Sequence, residues 1–150
     1  MITTRDAVSS DAPALARLSG QLGYPATQRE VADRLSRVTD PSQARVIVAV
    51  DESREVIAWT TVRTVEHIHS EEHAEISGFV VDENKRGRGV GRLLMAETER
   101  WARERHLPYI RLNANVTRTG AHRFYQSLGF TKAKQSYVFK KELEAPSAAT

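Results

Sequence analysis

Three glycines and four cations fall within eight residues in the stretch KRGRGVGR, 85–92. Gly87, Gly89 and Gly91 permit backbone conformations and close approaches that a Cβ would forbid. Val90, Leu93, Leu94 and Trp101 then recur at roughly helical spacing, so the loop is expected to open directly into a helix. The first-turn N–H groups of a helix have no intrahelical partner and carry the positive end of its dipole, which suits them to an anion such as a pyrophosphate. Arg86, Arg88 and Arg92 would add charge-assisted donors. The plain alternative is a glycine-rich solvated turn.

Spacing separates the loops of this type. A dinucleotide fingerprint needs G-x-G-x-x-G, but the residue three past Gly89 is Arg92, and a phosphate-binding Walker loop needs Gly-Lys before Ser or Thr, which is absent. What stands here is Arg86, two residues, Gly89, one residue, Gly91. This pattern resembles the acetyl-coenzyme A loop of the GNAT superfamily of N-acetyltransferases. A second stretch, RFYQSLGF at 123–130, resembles the superfamily's late motif, a helix carrying a tyrosine that ends in Leu-Gly-Phe. The resemblance spans roughly residues 2–143. It implies an α/β (α+β) fold with a mixed, mostly antiparallel central sheet and helices on both faces.

The resemblance also implies roles. Acetyl-CoA would be the cosubstrate, its phosphates held by Arg86, Gly87, Arg88, Gly89, Val90, Gly91 and Arg92. The main chain of Phe79, Val80 and Val81 would pair with its pantetheine amides, as an added strand does. An alkylamine is almost wholly charged at neutral pH, with a pKa near that of lysine, about 10.4, so transfer needs a base or a water chain. Glu75, eleven residues before Arg86 on the strand feeding the loop, matches the place where superfamily members carry a glutamate base. Tyr125 matches the place of the general acid, which would donate to the leaving sulfur. Core packing is the alternative for Phe79–Val81 and Tyr125, and a solvent-facing strand position is the alternative for Glu75. Many members carry an asparagine seven residues before the tyrosine, contacting the pantetheine arm, but here that position is Arg118; Asn115, with Asn113, is the nearby substitute.

These residues need elements to position them. Residues 2–8 read as a strand, with Ser9, Ser10 and Asp11 as N-caps for a helix whose Leu15, Leu18 and Leu22 share a face and which ends at Gly23. Thr27 and Glu30 fit a capping box for a second helix carrying Val31, Leu35 and Val38 inward and stopping before Pro41. ARVIVAV at 44–50 and EVIAWTTVRTV at 55–65 read as the strands of a hairpin about the turn 51–54, and 66–72 as a polar loop. AEISGFVV at 74–81 resumes strand composition up to the glycine loop. The helix beyond runs to about His106, a strand starts at Tyr109, and a helix through Ala121, Phe124, Tyr125 and Leu128 is capped by Gly129. SYVFKKEL at 136–143 reads as a final strand, with a further short one near Phe130, and 144–150 as a disordered tail. The whole is expected to be one domain, 1–143.

The 150 residues suffice for a core without staples, and with no cysteine there is no thiol nucleophile, disulfide or thiolate metal site. No apolar run approaches membrane-spanning length and nothing reads as a signal peptide, so a cytoplasmic protein without a membrane partner is the expectation. The net charge is +3 and the isoelectric point near 9.4. The cations concentrate in one loop instead of spreading along a face with interleaved aromatics, which disfavours a specific nucleic-acid partner. His67, His69 and His73 lack a matched carboxylate geometry for a metal and are read as serving the acceptor side. The leading reading is an N-acetyltransferase acting on a primary amine of a small molecule. A protein lysine or N-terminal acetyltransferase, a non-catalytic coenzyme A binder and a nucleic-acid module remain open. Dimers are common among the proteins it resembles, so a homodimer is also expected.

Overall fold

The computed structural model describes residues 1–144. The chain forms two compact units, Met1–Asn113 and a second from Ala114 onward. The tail expected at 144–150 lies, apart from Glu144, outside the described residues.

The first unit is a five-stranded sheet in sequential order: β1 (Thr3–Asp6), β2 (Ala44–Val50), β3 (Val56–His67), β4 (Ser70–Val81) and β5 (Ile110–Leu112). β1 to β4 are antiparallel neighbours, and β5 joins β4 in parallel. The sheet is thus mixed and mostly antiparallel. Helices α1 (Ala12–Leu22) and α2 (Gln28–Ser36) follow β1, and α3 (Val90–Glu104) follows β4.

Successive strand residues face opposite ways, yet Ile47, Val48 and Ala49 are all fully buried, so both faces of β2 are covered. Val48 and Val50 pack with Leu15 and Leu18 of α1, and Leu35 of α2 lies against the same cluster. Arg45, on the opposite face, forms an ion pair with Glu97 of α3 at 3.1 Å. Helices therefore cover both faces.

Local chemistry explains the helix ends. Thr27 Oγ1 accepts from the N–H of Glu30, and Glu30 Oε1 accepts from the N–H of Thr27, which completes the capping box. Gly23, in the left-handed region at φ 100°, closes α1 by donating to Gly20 O while Tyr24 donates to Ser19 O, a Schellman pair. Asp11 does not cap α1 through its side chain; it binds Arg5 instead.

Two further expectations about the first unit need correction. Residues 66–72 are not a loop: β3 and β4 run on to a two-residue turn at Ile68 and His69, with His67 opposite Ser70. The backbone ladder continues past the core, where polar side chains suffice, and the rings of His67 and His69 stack at 5.2 Å. Val38 is exposed, because α2 ends at Ser36 and the chain passes Val38 in a tighter last turn, its N–H donating to Leu35 O, instead of continuing the α-helical face.

The second unit contains α4 (Thr119–Ser127), closed by Gly129 at φ 95° with the same Schellman pair, Gly129 to Gln126 O and Phe130 to Tyr125 O. Neither the strand at 136–143 nor the one near Phe130 forms among the described residues. The composition favours β structure, but a strand needs a ladder partner, and none forms here; Tyr137, Val138 and Phe139 stay exposed.

Candidate active site

β4 is the element on which the site is built. It pairs with β5 over three positions, Ala74 with Ile110, Glu75 with Arg111 and Ile76 with Leu112. β5 then ends while β4 continues to Val81, so among the described residues the far half of β4 has no partner strand on that edge. The register with β3 slips at the same place: Val62 opposes Ile76 while Thr61 opposes Gly78, which leaves Ser77 as an extra residue on β4. A bulge of this kind bends and twists a strand. Gly78 follows because Trp59 of β3 lies over it; a Cβ there would sit 2.7 Å from Cζ3 of the indole. Phe79 and Val80 are buried and Val81 half-buried, so their side chains pack, and their main chain lies beyond the end of the pairing with β5.

The strand ends at Asp82, which is nearly buried. Its Oδ2 accepts from Arg17 of α1 at 2.9 Å and its Oδ1 from the N–H of Asn84 at 3.1 Å. Burial opposes ionisation of Asp82, but the Asn84 N–H, Arg17 and Gln21 outweigh it and hold the carboxyl below the ordinary aspartate value. This fixes the start of the glycine loop against α1.

After a single 3₁₀ turn, Glu83–Lys85, the chain passes through Arg86, Gly87, Arg88 and Gly89, all exposed. Gly87 and Gly89 adopt φ 83° and 77°, a region that L side chains rarely visit. Gly89 is the N-cap of α3 and supplies no side-chain cap to its first turn, which begins with the buried Val90 and Gly91 and the exposed Arg92. Among the described residues the loop therefore offers exposed cations, positive-φ glycines and an uncapped helix start in one short segment. A phosphate chain can reach such a backbone, and no clash of the glycines with neighbouring atoms is needed to explain them.

Glu75 lies one residue from the pairing's end, its side chain 28% exposed. Arg63 of β3 and Arg111 of β5 stand opposite it in register. His73, fully buried two residues earlier, presents Nε2 at 3.6 Å from Oε2 of Glu75. The first unit thus brings together Glu75, Phe79, Val80, Val81 and the loop 86–92 along a strand, turn and helix.

Asn115 and Tyr125 lie in the second unit. Asn115 Oδ1 accepts from the N–H and Oγ1 of Thr117, and its main-chain oxygen contacts His122 Nε2 at 2.7 Å, so half of its amide is engaged in its own loop. Arg118 is the N-cap of α4 but makes no side-chain cap. Tyr125 packs beside Phe124 and, edge-on, Phe130, with ring centroids at 5.6 and 6.0 Å. Burial raises the phenol pKa against a smaller opposing effect of Arg118, so the hydroxyl keeps its proton at neutral pH.

Sequence reasoning missed the bulge at Ser77, the Arg17–Asp82 tie and the His73–Glu75 approach. A glycine inside a strand pattern, Gly78, was the available signal for the first; the others depend on contacts between distant elements.

Residues 13–130 match the model of the Acetyltransferase (GNAT) family. An uncharacterized N-acetyltransferase, YhdJ of Bacillus subtilis, is 37% identical over 75 residues, 49% of this chain and 51% of that protein, so the match spans about half of the relative's length. An aminoglycoside N(6′)-acetyltransferase type 1 of Stenotrophomonas maltophilia is 26% identical over 150 residues, 97% of this chain and 96% of the relative. The crystal structure of the aminoglycoside antibiotic 6′-N-acetyltransferase AAC(6′)-Ih of Acinetobacter baumannii superposes with a TM-score of 0.82 at 18% identity, over 96% of this chain and all of that one. With a family match over most of its length and a strand, glycine loop and helix arranged as its motifs led one to expect, the chain belongs to the GNAT acetyltransferase family.

Proposed function

We propose that the protein moves an acetyl group from acetyl-CoA to a primary amine of a small molecule. The observation that carries this reading is the run of β4 past Ile76, where its pairing with β5 stops, straight into the arginine and glycine turn and the start of α3, whose N-cap Gly89 supplies no side-chain cap. Phe79, Val80 and Val81 would offer main-chain groups to the pantetheine amides, and Arg86 to Arg92 would hold the pyrophosphate. Asn115 would contact the arm through its remaining amide N–H groups. One domain over 1–143 would carry the reaction.

Glu75, directly or through a water, removes the amine proton. The nitrogen lone pair then forms the new C–N bond as the thioester C–S bond breaks, Tyr125 donates a proton to the departing thiolate, and the second proton lost from the acylated nitrogen returns to the tyrosinate, directly or through water. Names of relatives such as the Stenotrophomonas enzyme favour an amino-sugar amine. The register favours a second acceptor class, an amine that also bears a carboxylate or phosphate, because Arg63 and Arg111 flank Glu75 and form no ion pair among the described residues.

The test is release of free thiol from acetyl-CoA against a panel of amino sugars, polyamines, amino acids, aminoalkylphosphonates and lysine peptides. Turnover on at least one small amine, reduced roughly a hundredfold or more by Glu75→Gln with unchanged acetyl-CoA affinity, is expected. Turnover on peptides alone would reject the small-molecule reading, and coenzyme A binding with no turnover on any amine would reject catalysis.

A further inference from the structure

His73 is fully buried, yet it is an ionisable ring on the strand that carries Glu75. Its Nδ1 lies 3.0 Å from the main-chain oxygen of Glu71. A carbonyl oxygen accepts and cannot donate, so this contact places the proton on Nδ1 and leaves Nε2 as the lone-pair nitrogen of the neutral ring. Nε2 is sealed from solvent and has no hydrogen-bond partner. Buried polar atoms are seldom left so, and each instance asks for a reason. The ring stacks on Tyr109 with centroids 4.7 Å apart and planes 14° from parallel, and His67 tilts against it at 6.1 Å, which sets the plane of the ring.

What Nε2 faces is Oε2 of Glu75, 3.6 Å away. A lone pair opposite a carboxylate oxygen is repulsive, and at this separation the two atoms make no hydrogen bond. A single proton placed between them converts the contact into a charge-assisted hydrogen bond, and hydrogen bonds to reacting groups commonly tighten when substrate is bound. The Glu75 side chain as a whole is half-buried, so part of it is open to a substrate. The charged and titratable groups around the pair are Arg63 and His67 of β3, His69 of the turn, Glu71 of β4, and Tyr109 and Arg111 on the β5 side.

We propose that His73 is the positioning residue of Glu75, its Nε2 sharing through Oε2 the proton that Glu75 takes from the amine. This rests on the reading of Glu75 as the base. In the step, one amine N–H bond breaks and its proton passes to the Glu75 carboxylate. The pair holds that proton between Oε2 and Nε2 while the nitrogen attacks, and returns it to solvent after product leaves. His73 never touches the substrate; once the proton lies between them, it gives the carboxyl a fixed direction and a second seat for that proton.

The test compares wild type, His73→Gln, Glu75→Gln and the double variant, using acetyl-CoA and one accepted amine. His73→Gln should lower kcat by about tenfold or more, leave KM for acetyl-CoA within twofold and move the pH at which the rate rises. In the double variant the losses should not multiply, because the two residues act as one unit. Wild-type kcat and pH profile in His73→Gln, beside an impaired Glu75→Gln, would overturn the proposal and leave the base assignment standing. A Glu75→Gln variant as fast as wild type would overturn both. If His73→Gln does not fold, nitrogen NMR of imidazole-labelled wild type and Glu75→Gln decides the matter. The expected result is an Nδ1–H tautomer whose Nε2 resonance moves when Glu75 is replaced; an Nε2–H tautomer or an unmoved Nε2 resonance would overturn the proposal.

Discussion

Tyr125 combines a ring that packs beside Phe124 and Phe130 with a hydroxyl that the acid role would use, and one substitution separates the two. Tyr125→Phe keeps nearly all of the packing area, so a purely structural tyrosine predicts a folded, fully active variant. An acid must hold its proton at working pH, and burial, which raises this phenol above its ordinary value, satisfies that requirement. The expected outcome is an unchanged melt, near-normal acetyl-CoA binding and kcat lower by roughly 10²-fold, the low end for general acid catalysis. A thiol with a pKa near 8.5 leaves partly unaided, which argues against a larger loss. Turnover within a factor of two of wild type would return Tyr125 to the packing residues.

At the scale of elements, the parts of the site that are local in sequence were legible, and those made by distant contacts were not. The Thr27 capping box, the strand 44–50, the positive-φ turn before α3 and the Gly129 end of α4 each follow from a few adjacent residues. The hairpin through His67–Ser70 was hidden because its outer residues are polar, although the ladder satisfies their backbone regardless. The strand expected at 136–143 shows the reverse failure, since β propensity without a partner strand makes no sheet. Two glycines with opposite surroundings turn this distinction into a measurement. Gly89 has open space around its missing Cβ but φ 77°, whereas Gly78 has Trp59 at 2.7 Å. Gly89→Val should therefore weaken acetyl-CoA binding by at least about tenfold, about 1.4 kcal/mol, while lowering stability by only about 1–2 kcal/mol for the left-handed residue. Gly78→Ala should lower stability by about 1–3 kcal/mol by overpacking and disturb the edge of β4 as a secondary effect. Isothermal titration with coenzyme A and denaturant melts on both variants read the two quantities separately. Unchanged affinity in folded Gly89→Val would remove the loop from the cofactor site.

At the scale of the whole molecule, two buried aspartates tie the outer segments of the first unit to its sheet and helices, and both are held ionised. Arg5 contacts Asp11 at 2.7 and 3.0 Å, and these bonds, helped by the Val8 N–H and opposed by burial, keep the carboxyl below its ordinary value of 3.8. For Asp82, burial pushes upward and the Asn84 N–H, Arg17 and Gln21 together push further down, so it too titrates below 3.8. A carboxyl whose folded value is depressed binds fewer protons than the unfolded chain in that range. Its stabilisation is thus complete above the unfolded value and disappears as the pH falls through the folded one. The melting temperature should accordingly not respond to these two groups between about pH 7 and 5, and should fall once the pH drops below about 4. Asp82→Asn isolates one of them. It leaves the Arg17 guanidinium facing a neutral amide, so at pH 7 it should lose about 1.5–3 kcal/mol, the range for hydrogen bonds to charged groups. That corresponds to roughly 2–4 °C per kcal/mol for a chain of this size. Below its ordinary value the unfolded chain takes up a proton that the folded carboxylate resists, so the gap between the two proteins should narrow as the pH falls. Trp59 and Trp101 both lie in the first unit, which makes intrinsic fluorescence the suitable probe of its unfolding. A gap that stays constant from pH 7 to 3 would show that Asp82 acts through its shape and not its charge, and that the anchor of the glycine loop is not the ion pair with Arg17.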